Sequence, residues 1–208
     1  MPVLAFVGNK GGAGKTTLSV NIAAGIGQEH SVAIVDADPQ GSTLQWRAFS
    51  DNENALNVYE AEDDLQQQAN RLLENYNYVV FDCPPSVHAP QTMSVLSFSQ
   101  SAVIPVQPSP VDLWATVHIE EAVSNAREVN PNLKALLVIN QLESRTTFSK
   151  VVRDAVNEIG LPVAKTSLRR RAIYRNSALE GKSIFEMGYR GKDARLELEQ
   201  LIEEVMTL

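Results

Sequence analysis

Apolar residues in this chain gather into five short runs rich in valine and isoleucine, over residues 3–7, 32–35, 79–81, 103–106 and 136–139, each followed by polar or turn-forming residues. Runs of that length without alternation fit strands buried on both faces. Between them the apolar spacing becomes helical and predicts helices over 16–26, 65–73, 115–129, 151–159 and 194–205. Strand and helix alternate, so the expected fold class is α/β, a mostly parallel, twisted sheet with helices on both faces. No repeat, low-complexity tract or linker rich in proline, glycine and serine interrupts the pattern, and residues 1–208 are expected to form a single domain. Nothing precedes the first strand, so no helix-turn-helix module is expected there.

Composition narrows the picture. A hydrophobic content of 44% is enough to bury one substantial core. No run approaches the roughly 18 apolar residues of a membrane span, and no basic leader precedes the first apolar run, so a soluble, cytosolic protein is expected. The one cysteine, Cys83, can form neither an internal disulfide nor a multi-thiolate site within one chain. It reads as a small apolar filler. The net charge of −7 is unevenly spread. Between Lys165 and Arg195 lie nine basic and three acidic residues, a local balance of +6 that leaves −13 for the rest.

The chemistry concentrates after the first strand, where Lys10-Gly11-Gly12-Ala13-Gly14-Lys15-Thr16-Thr17 leads into a helix. Strand, glycine-rich loop, lysine, threonine and helix together make a P-loop. Glycines let successive backbone N–H groups converge on phosphate oxygens, and the helix N-terminus adds its positive dipole. Gly11, Gly12, Ala13, Gly14, Lys15, Thr16 and Thr17 are therefore the nucleotide-binding candidates. Lys15 is expected to reach the β- and γ-phosphates and the Thr16 hydroxyl to ligate Mg²⁺. Asn9 stands where the strict pattern has glycine, a mild departure because asparagine tolerates unusual backbone angles. Farther on, Val79-Val80-Phe81-Asp82 is an apolar strand closing on a carboxylate, the Walker B form, in which Asp82 holds Mg²⁺ through water.

Lys10 is a second cation inside the loop. With it, the loop resembles the deviant Walker A motif of the ParA/MinD family of positioning ATPases. That resemblance implies a P-loop NTPase fold, ATP and Mg²⁺ as cofactors, and a homodimer formed on ATP binding in which Lys10 reaches the partner's nucleotide. Asp36-Ala37-Asp38-Pro39-Gln40 is similar to a second family element, by which Asp38 positions the attacking water and Asp36 supports the magnesium shell. The stretch from Val103 through Asp112 resembles the strand and proline-rich turn beside the family's dimer interface. Asn140, at the end of the fifth strand, matches a position where relatives face adenine with an amide, which can donate and accept at once. A strand-end cap is the other reading of Asn140.

Three further tests separate the branches of that family. One cysteine argues against a cluster shared through two cysteines per chain. The acidic C-terminal helix argues against a membrane-cycling, MinD-like protein. The basic residues Arg169, Arg170, Arg171, Arg175, Lys182, Arg190 and Lys192 are candidates for sequence-independent DNA binding, and two such patches in a dimer would act together. A solvated surface paired with local glutamates is the plainer reading of the same run. The expected function is an ATPase that binds the nucleoid as an ATP dimer and positions a cargo through an adaptor that stimulates hydrolysis. The cargo would be a plasmid, a chromosome region or a protein assembly such as a carboxysome or chemoreceptor cluster. An ATP-dependent, ligase-like enzyme on the same fold is the alternative.

Overall fold

The structure, a computed structural model, describes residues 3–52, 55–143 and 160–208, with 110–117 described by their backbone. The helix expected over 151–159 lies outside the described residues. Six strands, β1 (Val3–Phe6), β2 (Val32–Asp36), β3 (Asn57–Glu60), β4 (Tyr78–Asp82), β5 (Ser101–Val106) and β6 (Lys134–Ile139), form one sheet in the order β3-β2-β4-β1-β5-β6. Every pairing within it is parallel. The helices are α1 (Lys15–Ile26), α2 (Ser42–Ala48), α3 (Leu65–Leu72), α4 (Pro90–Phe98), α5 (Pro110–Val129), α6 (Ala172–Leu179) and α7 (Lys192–Met206), with two short 3₁₀ turns at Ile184–Glu186 and Gly188–Gly191.

Successive side chains of a strand point to opposite faces, and both faces here are covered. Along β1, Val3 and Ala5 enter one core with Ala69 of α3, Leu96 of α4 and Val123 of α5. Leu4 and Phe6 enter the other with Ile22 of α1, Trp46 of α2 and Leu198 and Leu201 of α7. This is why the strands read as unbroken apolar runs. The exception, β3, is an edge strand whose residues are exposed apart from a half-buried Val58, and it carries no apolar run to read. Helix α5 begins at Pro110, five residues before the expected start, because proline suits the first helical position.

Helix α7 buries Ala194, Leu198, Leu201 and Val205 in the core, leaving an acidic face outward. Its apolar stripe is thus already engaged. Among the described residues no helix is long and apolar enough to cross a membrane. The register sets Phe6 beside Asp82 and Asp82 beside Asp36. The carboxyl ends of β1, β4 and β2 thereby bring the glycine-rich loop and both aspartates to one edge of the sheet, where open α/β sheets bind ligands.

Candidate nucleotide site

The loop that follows β1 is shaped by backbone conformations that only glycine adopts easily. Gly12 has φ +80° and Gly14 φ +98°. At Gly14 a β-carbon would also lie 2.3 Å from the Asn140 side-chain nitrogen. Asn9 is not in the left-handed region, since Gln141, at φ +57°, is the only non-glycine residue there among those described. The departure from glycine at Asn9 thus places no strain on the backbone.

Three amides from the ends of β5 and β6 brace the loop. Gln107 Nε2 and Gln141 Nε2 donate to the Gly12 carbonyl at 2.7 and 2.9 Å, and Asn140 Nδ2 donates to the Ala13 carbonyl at 2.8 Å. With these carbonyls tied back, the opposing N–H groups are left for an anion. Gly14 caps α1 without a side-chain hydrogen bond, so the first-turn amides of the helix are open as well. Lys15 is buried, donates to the Lys10 carbonyl at 3.3 Å, and has its pKa lowered by burial against the charges of Asp82 and Asp38. Lys10 is exposed at the rim of the loop with Gly11 and Gly12, while Thr17 is half-buried in the first turn of α1.

Asp82 is fully buried. Its Oδ2 accepts from the Thr16 hydroxyl at 2.6 Å and from the Thr43 hydroxyl at 2.7 Å, whereas its buried Oδ1 has no partner. Burial pushes its pKa up to about 6, against the two hydroxyls and Lys15 that favour the charged form. A buried carboxylate with an orphaned oxygen, beside a threonine hydroxyl and facing a phosphate loop, fits a divalent cation. Thr16 and Asp82 are the residues that would hold Mg²⁺.

The neighbouring aspartates divide their work. Asp36 Oδ2 accepts from the amides of Thr43 and Leu44 at 2.9 and 3.0 Å, and Oδ1 from the amide of Asp38 at 3.2 Å. Burial raises its pKa and these three donors oppose the rise. Asp36 therefore caps the start of α2 and is linked to Asp82 through Thr43, whose amide bonds Asp36 and whose hydroxyl bonds Asp82. Thr43 has no place in the motifs read from the sequence; its only signal there is a threonine just past the Asp-Pro-Gln-Gly turn. Asp38 is half-buried in that turn, where its Oδ1 accepts the Gln40 amide at 3.0 Å.

A cleft of about 280 Å³ continues from the loop, lined by Thr17, Asn140, Gln141, Arg170, Tyr174 and Arg175 among others. The Asn140 carbonyl accepts from the Gln141 amide at 2.9 Å, so one donor and one acceptor position of this side chain are used internally. One N–H and one lone pair remain for a base. Both readings of Asn140, strand-end brace and base contact, are thus chemically compatible.

The basic segment proves heavily paired. Arg169 and Arg171 both meet Glu197, Arg171 also meets Asp193, and Arg170 meets Glu143. Lys182 and Arg190 share Glu180, and Arg195 pairs with Glu199 one helical turn on. Arg175 and Lys192 are exposed and make no ion pair with described residues. Glu143, Glu197 and Glu199 lie outside the sequence window in which the +6 balance was counted. The candidates thus form a patch of partly neutralised cations around Arg171, not a bare positive face.

A family model described as the CobQ/CobB/MinD/ParA nucleotide binding domain matches residues 4–184. The chain belongs to this family. Its similarity to the maintenance of carboxysome distribution protein A of Halothiobacillus neapolitanus is 42% identity over 206 residues, covering 98% of this chain and 95% of the relative. Among solved structures, the apo McdA of Cyanothece superposes with a TM-score of 0.78 at 17% identity, covering 99% of each chain. A cobyrinic acid a,c-diamide synthase from Mycobacterium smegmatis, with ADP and magnesium bound, matches with a TM-score of 0.66 at 25% identity, covering 85% of this chain and 92% of that one. As a CobQ/CobB/MinD/ParA protein, the chain is a P-loop ATPase that uses ATP and Mg²⁺. The α/β fold, the ATPase activity and the cofactors expected from the sequence all hold.

Proposed function

We propose that this ATPase is a nucleotide-switched positioning protein, cytoplasmic and nucleoid-associated. ATP joins two copies into a dimer, the dimer holds DNA without reading sequence, and an adaptor protein stimulates hydrolysis to release it. The observation that carries this reading is the pair of lysines in one loop. Lys15 is buried against the loop and serves the chain's own nucleotide, while Lys10 is exposed at the rim, where a second subunit could present its nucleotide. Similarity over nearly the full length to a carboxysome distribution protein supports a carboxysome as the cargo.

In this reading Lys15 and the loop amides neutralise the phosphate oxygens, and Asp38 orients the water that attacks the terminal phosphorus. Thr16 and, through water, Asp82 would hold Mg²⁺, which when bound would supply positive charge beside the phosphates. Asn140 contacts the base. Arg175, Lys192 and those of Arg169, Arg170, Arg171, Lys182 and Arg190 that can leave their carboxylates contact DNA phosphates.

Light scattering, DNA binding and phosphate release on three variants test the scheme. Lys15→Ala is expected to lose nucleotide binding, Lys10→Ala to bind ATP yet stay monomeric, and Asp38→Ala to stay dimeric on DNA with ATP unhydrolysed. Hydrolysis by Asp38→Ala at the wild-type rate would remove Asp38 from its role. A protein indifferent to DNA that turned over only with a metabolite would be a ligase-like enzyme instead.

A further inference from the structure

Tyr189 is the most exposed large apolar side chain among the described residues, at 89%. A tyrosine ring left in water is unremarkable on a loose loop, but this one is mounted on a tightly specified turn. Gly188 sits at φ +57°, and a β-carbon at the buried Gly191 would lie 2.8 Å from the Ile184 carbonyl. Just before it, Ser183 and Glu186 close a reciprocal capping box on the preceding 3₁₀ turn. The backbone therefore holds Tyr189 outward.

What surrounds the ring is a cluster of cations, of which Arg171 and Arg190 are paired with carboxylates. Tyr189 borders a cleft of about 290 Å³ that is also lined by Arg171, Arg190, Lys192 and Asp193. Lys192 has no ion-pair partner among described residues, and the Arg190 side chain is 64% exposed despite its contact with Glu180. Asp193 is drawn toward Arg171 at 3.4 Å. Arg171 also lines the cleft that continues from the phosphate loop, so the two clefts share a wall. Three cations around one projecting aromatic ring match a polyanion that also offers apolar surface between its charges. A nucleic acid does so, with sugars and base edges between phosphates. An acidic protein is the competing occupant of such a surface, and the adaptor arm of the experiment below separates the two.

We propose that Tyr189 is the nonionic contact of the DNA-holding surface, packing on the sugar-phosphate groove wall while Arg190 and Lys192 neutralise flanking phosphates. This inference rests on the DNA-binding reading above. The two kinds of contact differ in salt dependence. Each lysine or arginine that neutralises a phosphate contributes roughly 0.9 to the slope of log affinity against log salt, and an aromatic contact contributes nothing to it.

The experiment uses the full chain with ATP and Mg²⁺, a random-sequence duplex as probe, and fluorescence anisotropy over a salt series. Lys192→Ala is expected to weaken binding and flatten the slope by roughly 0.9. Tyr189→Ala is expected to weaken binding by the same factor at every salt concentration with the slope unchanged, and Tyr189→Phe to retain most of the affinity. ATP hydrolysis without DNA stays at the wild-type level in the Tyr189 variants, because the ring touches neither the phosphate loop nor the core. Wild-type affinity in Tyr189→Ala, alongside weakened Lys192→Ala, overturns the inference and leaves DNA binding standing. Intact DNA affinity with loss of adaptor-stimulated hydrolysis makes Tyr189 a protein contact and overturns it as well. A wild-type protein that does not bind the duplex overturns the DNA reading itself, before any variant is compared.

Discussion

At the nucleotide loop the backbone carbonyls and the buried Asp82 are held by neutral, directional partners, whereas in the basic segment charges are held mainly by opposite charges. Gly12 and Ala13 are fixed by amides, and Asp82 by two hydroxyls at 2.6 and 2.7 Å. Arg169, Arg170, Arg171, Lys182 and Arg190 are fixed by carboxylates, several of them largely exposed. Directional hydrogen bonds tolerate little displacement. Exposed ion pairs are weak and exchange readily for other anions. The first arrangement suits a site that must be ready before its ligand arrives. The second suits a surface that trades internal carboxylates for phosphates.

The largest effect should come from the rigid side of that contrast. Gly14→Ala forces a side chain into the left-handed region and onto Asn140, at a cost of about 2–4 kcal/mol. Thermal denaturation should show the loss, and phosphate release should fall to background because the brace and the loop cannot both be kept. Retained hydrolysis would mean that the loop relaxes freely, and the contrast with the basic segment would collapse.

A smaller effect should come from the exchangeable side. Glu197 accepts from the Arg169 amide at 3.1 Å and from the Arg171 guanidinium at 2.6 Å. Glu197→Gln is expected to lower stability by about 1 kcal/mol. It should also tighten DNA binding and steepen its salt slope by up to roughly one phosphate contact. A weaker, flatter salt response would show that Glu197 presents the arginines rather than withholding them.

The difference between the regions also explains what could be read beforehand. Gly14, Lys15, Thr16, Asp38 and Asp82 sit in short motif stretches along the chain, and the carboxyl ends of β1, β2 and β4 bring those stretches to one edge of the sheet. Gln107, Gln141 and Thr43 act at the same site but are single polar residues at strand and helix ends, and nothing in the sequence pairs the two glutamines with a glycine 95 and 129 positions away or Thr43 with Asp82, 39 positions on. Charge could be counted along the chain but not paired. The +6 balance of residues 165–195 ignored Glu143 and Glu197, which reach it only through the packing of β6 and α7. Strand β3 was missed for another reason: an edge strand with one half-buried aliphatic carries almost no hydrophobic signal.

The finest test of the contrast is Glu204, which joins the two styles by holding backbone with charge. Its carboxylate accepts from the amides of Lys165 and Thr166 at 2.7 and 2.8 Å, tying the start of the basic segment to α7. Burial alone would raise its pKa, but the Thr166 and Lys165 hydrogen bonds outweigh it and the net shift is downward. A depressed folded pKa means that the stabilisation is complete above the ordinary carboxylate value of 4.5 and is lost as pH falls through the lower folded value. Glu204→Gln should therefore cost about 0.5–1 kcal/mol near neutral pH, a figure held down by solvent screening, and the gap to wild type should close in acid. Urea denaturation at pH 7 and again below the folded pKa measures both. A gap that stayed open in acid would place the contribution of Glu204 in its shape, and the segment would be held by packing as rigidly as the loop.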